Sequence, residues 1–415
     1  MFPACLLMLE VLVAGDSSDH AKRVVESIPT ADGARLSVVH RAADGPPVIF
    51  LPGLAVNAEI WDLPTIVGRD FVFRSLASVM HDAGYDVWLL NFRGLGAPDM
   101  PSAPPSNQAD WCVDHFIALD LPAVVEHVGA SRGQRPFVIG ASMGAMVLAG
   151  YLEGVRIEGD PRSPRIVADA CESEQRNAGL AGAVFVEFPA ALRWPNSPFD
   201  DSGGVRWPEI LRDWWRTDGD VNYPFELLAR SAWLEALIDE AGRVPLQWMR
   251  TGDAAERIGR AISPKAAEQF RAAQTALVQA GLNVLSVFTG HSHHRAEVIL
   301  EGRSKVMDHM KAGVLRQMGK SVRMRGFVSE LGSPDYVYSE HYDQVRAPLL
   351  VVQGGRDRIA NTAVVREVFF DAAHSADKEF MLFDDFAHGE FEAAPVAYER
   401  VYPRVLEWIR QRTRQ

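Results

Sequence analysis

The sequence predicts an α/β fold in which a doubly wound, mostly parallel sheet carries an inserted helical segment. Three observations favour this class. Short β-rich runs alternate with helical stretches over residues 24–188 and again over residues 348–412. The run at 86–91 is apolar on both faces, which indicates helices on both sides of a sheet. Between the two alternating parts the strand pattern fades and tryptophans become frequent.

The chain opens with a hairpin and a third strand, because the turn pairs at 32–33 and 44–45 separate three β-rich runs. After that, strands and helices alternate, which is typical of parallel strands joined by crossover helices. The predicted strands are 24–28, 35–40, 47–51, 86–91, 136–139, 182–188, 348–353 and 379–383. The predicted helices are 71–83, 114–128, 144–152, 362–373 and 395–412.

We divide the chain at residues 192 and 340. Residues 1–192 and 341–415 are predicted to form the two parts of the core, and residues 193–340 a helical cap or lid. A long irregular segment is uncommon inside a compact domain, so the insertion should have its own structure above the carboxyl ends of the strands. Its tryptophans, from Trp194 to Trp248, suit core packing and also the wall of an apolar substrate tunnel.

Composition and charge narrow the choice of partners. The chain is 47% hydrophobic, and its net charge of −12 with no basic run argues against nucleic acid. Its three cysteines form no paired spacing, which favours a reduced, cytoplasmic protein. The apolar amino terminus leaves secretion as the alternative, although it lacks basic residues and contains Glu10. No run is long enough for a transmembrane segment, and the sequence does not fix the oligomeric state.

The candidate nucleophile is Ser142, in the pentapeptide GASMG at 140–144. It stands between an apolar strand and an apolar helix, which is the context that a nucleophile elbow requires. A tight turn without chemistry is the alternative. A second match, GASRG at 129–133, follows a helix and precedes a strand, so we interpret Ser131 as a loop residue.

A serine hydroxyl needs a base, and that base needs a carboxylate to orient it. His388 follows the predicted strand 379–383, and Asp357 follows the strand 348–353. Both lie where parallel strands end, at the edge where the elbow opens. The alternatives are a surface-loop role for His388 and a helix-capping role for Asp357, with Asp385 or Glu187 as the acid.

The same edge must supply donors for a developing oxyanion. The backbone N–H of Met143, at the start of the elbow helix, is the first candidate. The second is the N–H of Leu54, in the small turn around Gly53 after the third strand, with Ala55 as the competing residue.

Three histidines in the run GHSHH at 290–294 raise the question of a metal. No carboxylate or cysteine stands at matching spacing, so a loop or the start of a cap helix is the preferred interpretation. We predict neither a metal nor a cofactor.

Three stretches carry a family resemblance: HDAGYDVWLLNFRG at 81–94, ALDLPAVVEHV at 118–128 and YDQVRAPLLVVQGGRDRIA at 342–360. Together with the elbow, they resemble the α/β-hydrolase superfamily and, within it, the acid lipases of the gastric and lysosomal type. The resemblance implies the α/β-hydrolase fold and a triad of Ser142, His388 and Asp357.

Two positions depart from the acid lipases, which usually have His-Gly in the oxyanion loop and a histidine before the serine. This chain has Pro52-Gly53 and Ala141 there. The elbow is also similar to that of homoserine acyltransferases. Polyhydroxyalkanoate synthases share the layout but use a cysteine nucleophile.

These observations predict a serine hydrolase that cleaves small-molecule carboxylic esters through an acyl-enzyme on Ser142. The aromatic insertion favours an apolar or lipid-like acyl or alcohol group. An acyltransferase with the same triad and a non-catalytic binding protein with this fold remain the alternatives.

Overall fold

The computed structural model describes residues 23–96, 101–160, 163–194, 275, 279, 293–308 and 310–413. Its centre is an eight-stranded sheet with the order β1-β2-β6-β3-β7-β10-β11-β12, and two short hairpins lie outside it. The strands are β1 (Arg23–Pro29), β2 (Arg35–Arg41), β3 (Pro47–Leu51), β4 (Ile66–Val67), β5 (Val72–Phe73), β6 (Asp86–Leu90), β7 (Phe137–Ala141), β8 (Val155–Asp160), β9 (Ser163–Ala168), β10 (Gly182–Val186), β11 (Leu349–Gly354) and β12 (Lys378–Phe383).

Helices cover both faces of this sheet. In the described residues they are α1 (Leu76–Asp82), α2 (Val113–His115), α3 (Leu121–Arg132), α4 (Met143–Leu152), α5 (Ala170–Gly179), α6 (Ala296–Val306), α7 (Ala312–Arg323), α8 (Thr362–Val364), α9 (Glu390–Ala393), α10 (Pro395–Arg400) and α11 (Tyr402–Thr413). A π-helical turn at Phe116–Asp120 joins α2 to α3, and another at Val365–Phe370 follows α8.

Only β2 runs against its neighbours. It pairs antiparallel with β1 and β6, and every other neighbouring pair in the large sheet is parallel. Parallel strands need crossover connections, which bring helices onto both faces. The predicted doubly wound, mostly parallel sheet is therefore confirmed.

Each central strand is buried on both faces because its side chains alternate between two cores. In β3, Ile49 and Leu51 contribute to the core that α3 and α4 cover. Val48 and Phe50 contribute to the opposite core, together with Trp408 of α11. This double burial explains the uninterrupted apolar runs of the sequence.

Two predicted helices differ in detail, and other elements were not predicted. The helix predicted at 71–83 begins only at Leu76, because the preceding residues form the β4–β5 hairpin. The closing helix is divided at Val401 into α10 and α11. The hairpin β8–β9 and helix α5, between α4 and β10, were not predicted at all.

The predicted cap falls largely on residues 195–292, which lie outside the described residues apart from 275 and 279. Its boundaries at 192 and 340 remain a prediction. The described part of the insertion contains α6 and α7. Of the predicted tryptophan stretch, Trp194 is described; it is buried, and its Nε1 donates to the carbonyl of Arg358 at 2.8 Å. Among the described residues, no helix has the length and hydropathy of a membrane span.

Candidate active site

The candidate residues meet at one edge of the sheet. Ser142 follows β7, Glu187 follows β10, Asp357 follows β11 and His388 follows β12. These four strands are parallel neighbours in the order β7-β10-β11-β12, so their carboxyl ends lie side by side. Residues that are up to 246 positions apart in sequence are thereby brought together.

Ser142 lies on a sharp turn between β7 and α4. Its φ is +52°, a conformation that residues other than glycine rarely adopt. A Cβ added to Gly144 would lie 2.6 Å from the carbonyl oxygen of Leu51, and one added to Gly140 would lie 2.5 Å from the carbonyl oxygen of Gly144. Gly144 is therefore needed for the elbow to pass so close to the end of β3, and Gly140 for the end of β7 to lie so close to the start of α4.

A chain of hydrogen bonds connects the serine, the histidine and the aspartate. The distance between Ser142 Oγ and His388 Nε2 is 2.9 Å. On the other side of the ring, Nδ1 lies 2.9 Å and 3.0 Å from the two carboxylate oxygens of Asp357. A carboxylate only accepts hydrogen bonds, so Nδ1 carries the proton and Nε2 is left to accept the one from the serine hydroxyl.

Asp357 is fixed by its own loop. Its carboxylate is fully buried and also accepts the backbone N–H groups of Ile359 and Ala360 at 2.9 Å and 2.8 Å. These donors hold the carboxylate toward the imidazole. The predicted alternative, in which Asp357 caps the following helix, does not apply, because Asn361 caps α8.

The charges around His388 change its proton affinity. Burial alone would lower its pKa, but the negative charge of Asp357, their hydrogen bond and the charge of Glu392 outweigh burial and raise the pKa above its ordinary value. His388 is therefore a stronger base than a free histidine.

The alternative acids have other positions. Asp385 forms two hydrogen bonds to Arg400, at 2.7 Å and 2.8 Å, which lower its pKa to about 2. Glu187 lies near the other nitrogen of the ring, with 3.7 Å between its Oε1 and Nε2 of His388. Asp357 is the acid placed at Nδ1.

Glu187 has a second carboxyl beside it, which the sequence did not reveal. The side chains of Glu187 and Glu392 are both buried, and they lie close enough for each to shift the pKa of the other. Burial first, then the proximity of Glu392, raises the pKa of Glu187 well above its ordinary value. Glu392 lies four residues after His388, in the first turn of α9. No sequence pattern distinguishes it from an ordinary first-turn acid.

The candidate oxyanion donors border the elbow. Met143 opens α4, and the first N–H groups of a helix have no acceptor within it. A Cβ on Gly53 would lie 3.4 Å from Cβ of Ser142, so the turn that carries Leu54 and Ala55 passes directly beside the serine. The choice of Leu54 over Ala55 remains a prediction.

The end of α6 and the residues just after it hold the loop that follows β3 in place. The N–H of Asn57 donates to the carbonyl of Val306 at 2.9 Å, and its side-chain amide donates to the carbonyl of Lys305 at 2.6 Å. The N–H of Asp308 donates to the carbonyl of Ala55 at 2.9 Å. A described part of the insertion thus pairs with the loop that borders the nucleophile.

Of the histidine run at 290–294, His293 and His294 are described, just before α6 begins at Ala296. His293 binds Glu390, with 3.0 Å between its Nδ1 and Oε2. Among the described residues, the group close enough to hold a metal is instead Glu187, Asp357 and His388. A metal there would have to displace the hydrogen bonds between Asp357 and His388.

Comparisons with known proteins agree with the fold. The family model described as alpha/beta hydrolase fold matches residues 46–154, from β3 through α4. With the strand order of the sheet, this match shows that the chain has the α/β-hydrolase fold. Within that fold the sequence resembles lipases.

Curated relatives match part of this chain. Lipase lipl-1 of Caenorhabditis elegans is 37% identical over 109 residues, which cover 25% of each protein. Gastric triacylglycerol lipase of Homo sapiens is 34% identical over 108 residues, 24% of this chain and 25% of that protein. The chain therefore matches about a quarter of the length of these relatives. Among solved structures, an esterase from Exiguobacterium antarcticum aligns over 93% of this chain and 100% of its own, with a TM-score of 0.48 and 13% identity.

Proposed function

We propose that the protein is a serine hydrolase that cleaves carboxylic esters through an acyl-enzyme on Ser142. The observation that carries the proposal is the unbroken chain of hydrogen bonds from Ser142 Oγ through His388 to Asp357, at the tip of a strained elbow. Nucleophile, base and orienting acid are in contact, which is the arrangement that covalent acyl transfer requires.

In the proposed reaction, Ser142 Oγ attacks the ester carbonyl while its proton moves to Nε2 of His388. The tetrahedral intermediate expels the alcohol, which leaves with that proton. Water then attacks the acyl-enzyme, gives a proton to Nε2, and the acid product leaves as the proton returns to Ser142. Asp357 keeps its hydrogen bond to Nδ1 throughout and stabilises the imidazolium.

The negative oxygen of each intermediate needs fixed donors. We assign this role to the backbone N–H groups of Met143 and Leu54, since both residues border the serine. Removing one such donor in a serine hydrolase costs about 3 kcal/mol of transition-state stabilisation.

The site favours neutral, apolar esters. The buried carboxyl groups of Asp357, Glu187 and Glu392 lie around the base, and the negative charge among them disfavours an anionic group near the scissile bond. The matched relatives lipl-1 and gastric triacylglycerol lipase are named as lipases. Medium-chain or lipid-like esters are therefore the proposed substrates.

A series of p-nitrophenyl esters of increasing acyl length tests this assignment. We expect kcat/KM to rise from the acetate toward medium chains, because added methylenes bury apolar surface worth about 0.8 kcal/mol each. A preference confined to the acetate would reject the apolar substrate class.

Two serine variants test the nucleophile. Ser142→Ala should lower turnover by a factor on the order of 10⁶, since members of a triad act as a unit. Ser131→Ala is the matched control: its serine is the centre of the other pentapeptide, is exposed at the end of α3 and should leave turnover unchanged. Equal activity of both variants would refute the role of Ser142, whereas a wild type without turnover would leave the non-catalytic alternative.

Acyl transfer is the second candidate, favoured by the resemblance of the GASMG elbow to that of acyltransferases. It uses the same acyl-enzyme, with an alcohol in place of water. Product analysis with added alcohol acceptors distinguishes the two: an ester product in excess of the free acid would indicate transfer.

A further inference from the structure

Two of the four residues that follow His388 are buried acids, Glu390 and Glu392, and Glu392 lies close enough to Glu187 to shift its pKa. We propose that Glu187 and Glu392 form a carboxyl pair that shares one proton and positions His388, with Glu187 neutral beside Nε2 and Glu392 carrying the negative charge. For its effect on catalysis, the inference rests on the proposed function.

The position of Glu187 is specific and strained. Its φ is +42°, and its backbone N–H donates to the carbonyl of Val352 at 2.8 Å. Its side chain is buried, and Oε2 accepts the N–H of Gly389 at 2.5 Å. A residue held in a conformation rarely adopted outside glycine, with its carboxyl bonded to the loop of His388, fits a positioning role.

The proposed proton transfers at Nε2 of His388 require Glu187 to be neutral. Its Oε1 is 3.7 Å from Nε2, the nitrogen that takes the proton from Ser142 and returns it to the leaving alcohol. A carboxylate there would accept that proton from Nε2 and hold the imidazolium away from the alcohol. A protonated carboxyl that donates to Glu392 does not compete for it.

The surroundings keep one proton in the pair. Both carboxyl groups are buried, and two negative charges in contact are unfavourable, so one of them retains its proton. Burial, with Glu392 and Asp357 nearby, raises the pKa of Glu187 well above its ordinary value. Burial also raises the pKa of Glu392, but the charge of His388 and the hydrogen bond from Glu187 favour its ionised form.

Charged groups approach His388 from three elements besides its own loop. Asp357 follows β11, Glu187 follows β10, and Glu392 belongs to α9. Glu390, also in α9, accepts the N–H of Ala387 at 2.8 Å. Arg358, which directly follows Asp357, is also buried.

Two replacements of Glu187 test the neutral form. Glutamine keeps an acceptor for Gly389 and a donor for Glu392, whereas leucine keeps neither. We expect Glu187→Leu to lower kcat at least about tenfold, because its buried hydrogen bonds are lost. Glu187→Gln should lower kcat no more than about threefold, because these bonds are kept. A glutamine variant as impaired as the leucine variant would overturn the proposal, because the charge of Glu187 would then be needed.

The double variant Glu187→Gln with Glu392→Gln removes the charge of the pair. Titration of the His388 imidazole by NMR should then give a pKa lower than that of the Glu187→Gln variant by at least about 0.5 unit, because a nearby negative charge is gone. Glu379→Gln, which removes an exposed charge near the start of β12, is the control and should not move it. An unchanged His388 titration in the double variant would overturn the proposal.

Infrared spectroscopy gives a readout that depends on neither turnover nor the double variant. The difference spectrum between wild type and Glu187→Gln at pH 8 should show the carbonyl band of one protonated carboxyl in the wild type. Absence of that band would refute the shared proton. The two proposals can fail separately. If the wild type shows the band and the double variant shows the lowered His388 pKa, but the wild type hydrolyses no ester, the proposed function is refuted and the carboxyl pair stands.

Discussion

Ser142 combines an unfavourable backbone conformation with a favourable set of partners. Its φ of +52° is maintained because its N–H donates to the carbonyl of Val186 at 3.0 Å, while its own carbonyl accepts the N–H of Ala145 at 3.0 Å. The neighbouring strand and the elbow helix thus hold the serine from both sides. Strain of this kind persists where the surroundings over-determine the geometry, which is common at functional sites.

The raised pKa of His388 leads to a prediction about pH. The base acts only when neutral, so kcat/KM should fall as the pH drops through a pKa above the ordinary value of about 6.5. The pKa is raised because the negative charges of Asp357 and Glu392 stabilise the imidazolium. A pH profile of an ester substrate checks this, and activity that stays constant down to pH 5 would contradict it.

Among single residues, the sequence predicts as site residues those that lie in a recognisable local motif. Ser142 has its pentapeptide, and Asp357 and His388 have loops directly after strands. Glu392 has no such signature, because its importance comes from burial against Glu187, 205 positions earlier in the sequence. Such contacts depend on how the loop after β12 packs on the end of β10.

At the scale of elements, the two G-x-S-x-G pentapeptides show that context decides structure. The one at 140–144 joins β7 to α4, whereas the one at 129–133 spans the end of α3, where Gly133 adopts φ +61° as the cap. The same pattern therefore forms a strained elbow in one place and a helix end in the other, so the interpretation of Ser131 as a loop residue is wrong.

Replacement of a glycine by alanine should have opposite effects on stability in the two pentapeptides. Gly144→Ala would bring a Cβ within 2.6 Å of the carbonyl oxygen of Leu51, so β3 or the elbow must move, and we expect a loss of stability of about 2 kcal/mol with kcat reduced at least about tenfold. Urea unfolding and ester turnover measure the two effects.

Gly129→Ala is the matched control. Gly129 lies inside α3, and an added Cβ meets nothing closer than 3.9 Å. Alanine there should stabilise the protein by up to about 1 kcal/mol, since it is the better helix former. Equal loss of stability in both variants would contradict the distinction between the motifs.

The sequence located most elements but not all of their ends. Ser75 caps α1 by accepting the N–H of Ser78 at 3.3 Å, which explains why the helix starts later than its apolar pattern suggested. Val72 and Phe73 continue that apolar pattern but belong to β5. The boundary was decided by pairing with β4, which a local pattern does not contain.

At the scale of the molecule, a buried aspartate joins the described part of the insertion to the core. Asp114 of α2 is fully buried and accepts hydrogen bonds from Gln317 of α7, from Tyr338, and from the backbone N–H groups of Glu330 and Leu331, at 2.6–2.9 Å. Burial raises its pKa to about 6. These bonds connect segments about 200 residues apart.

Asp114→Asn should therefore destabilise the protein by about 2–4 kcal/mol, because an amide group would face donors and leave buried hydrogen bonds unmade. Denaturant unfolding measures the loss. The control is Asp82→Asn, which removes a half-exposed partner of Arg74 and should cost less than about 1 kcal/mol. Equal effects of the two variants would contradict the role of Asp114.

The parallel sheet could be predicted because alternating strands and helices leave few arrangements in which both faces are covered. The insertion could not be placed in the same way. The pairing of residues 305–308 with the loop after β3 and the bonds to Asp114 join distant segments, and no short motif marks either contact.

The central claim is that Ser142 is an activated nucleophile. A fluorophosphonate probe, followed by peptide mass spectrometry, measures this directly, because it reacts with a serine whose proton a neighbouring base can remove. We predict one adduct, on the peptide that contains Ser142, in the wild type and in Ser131→Ala, and none in Ser142→Ala. A wild-type protein that remains unlabelled, or labelling that persists in Ser142→Ala, would contradict the account.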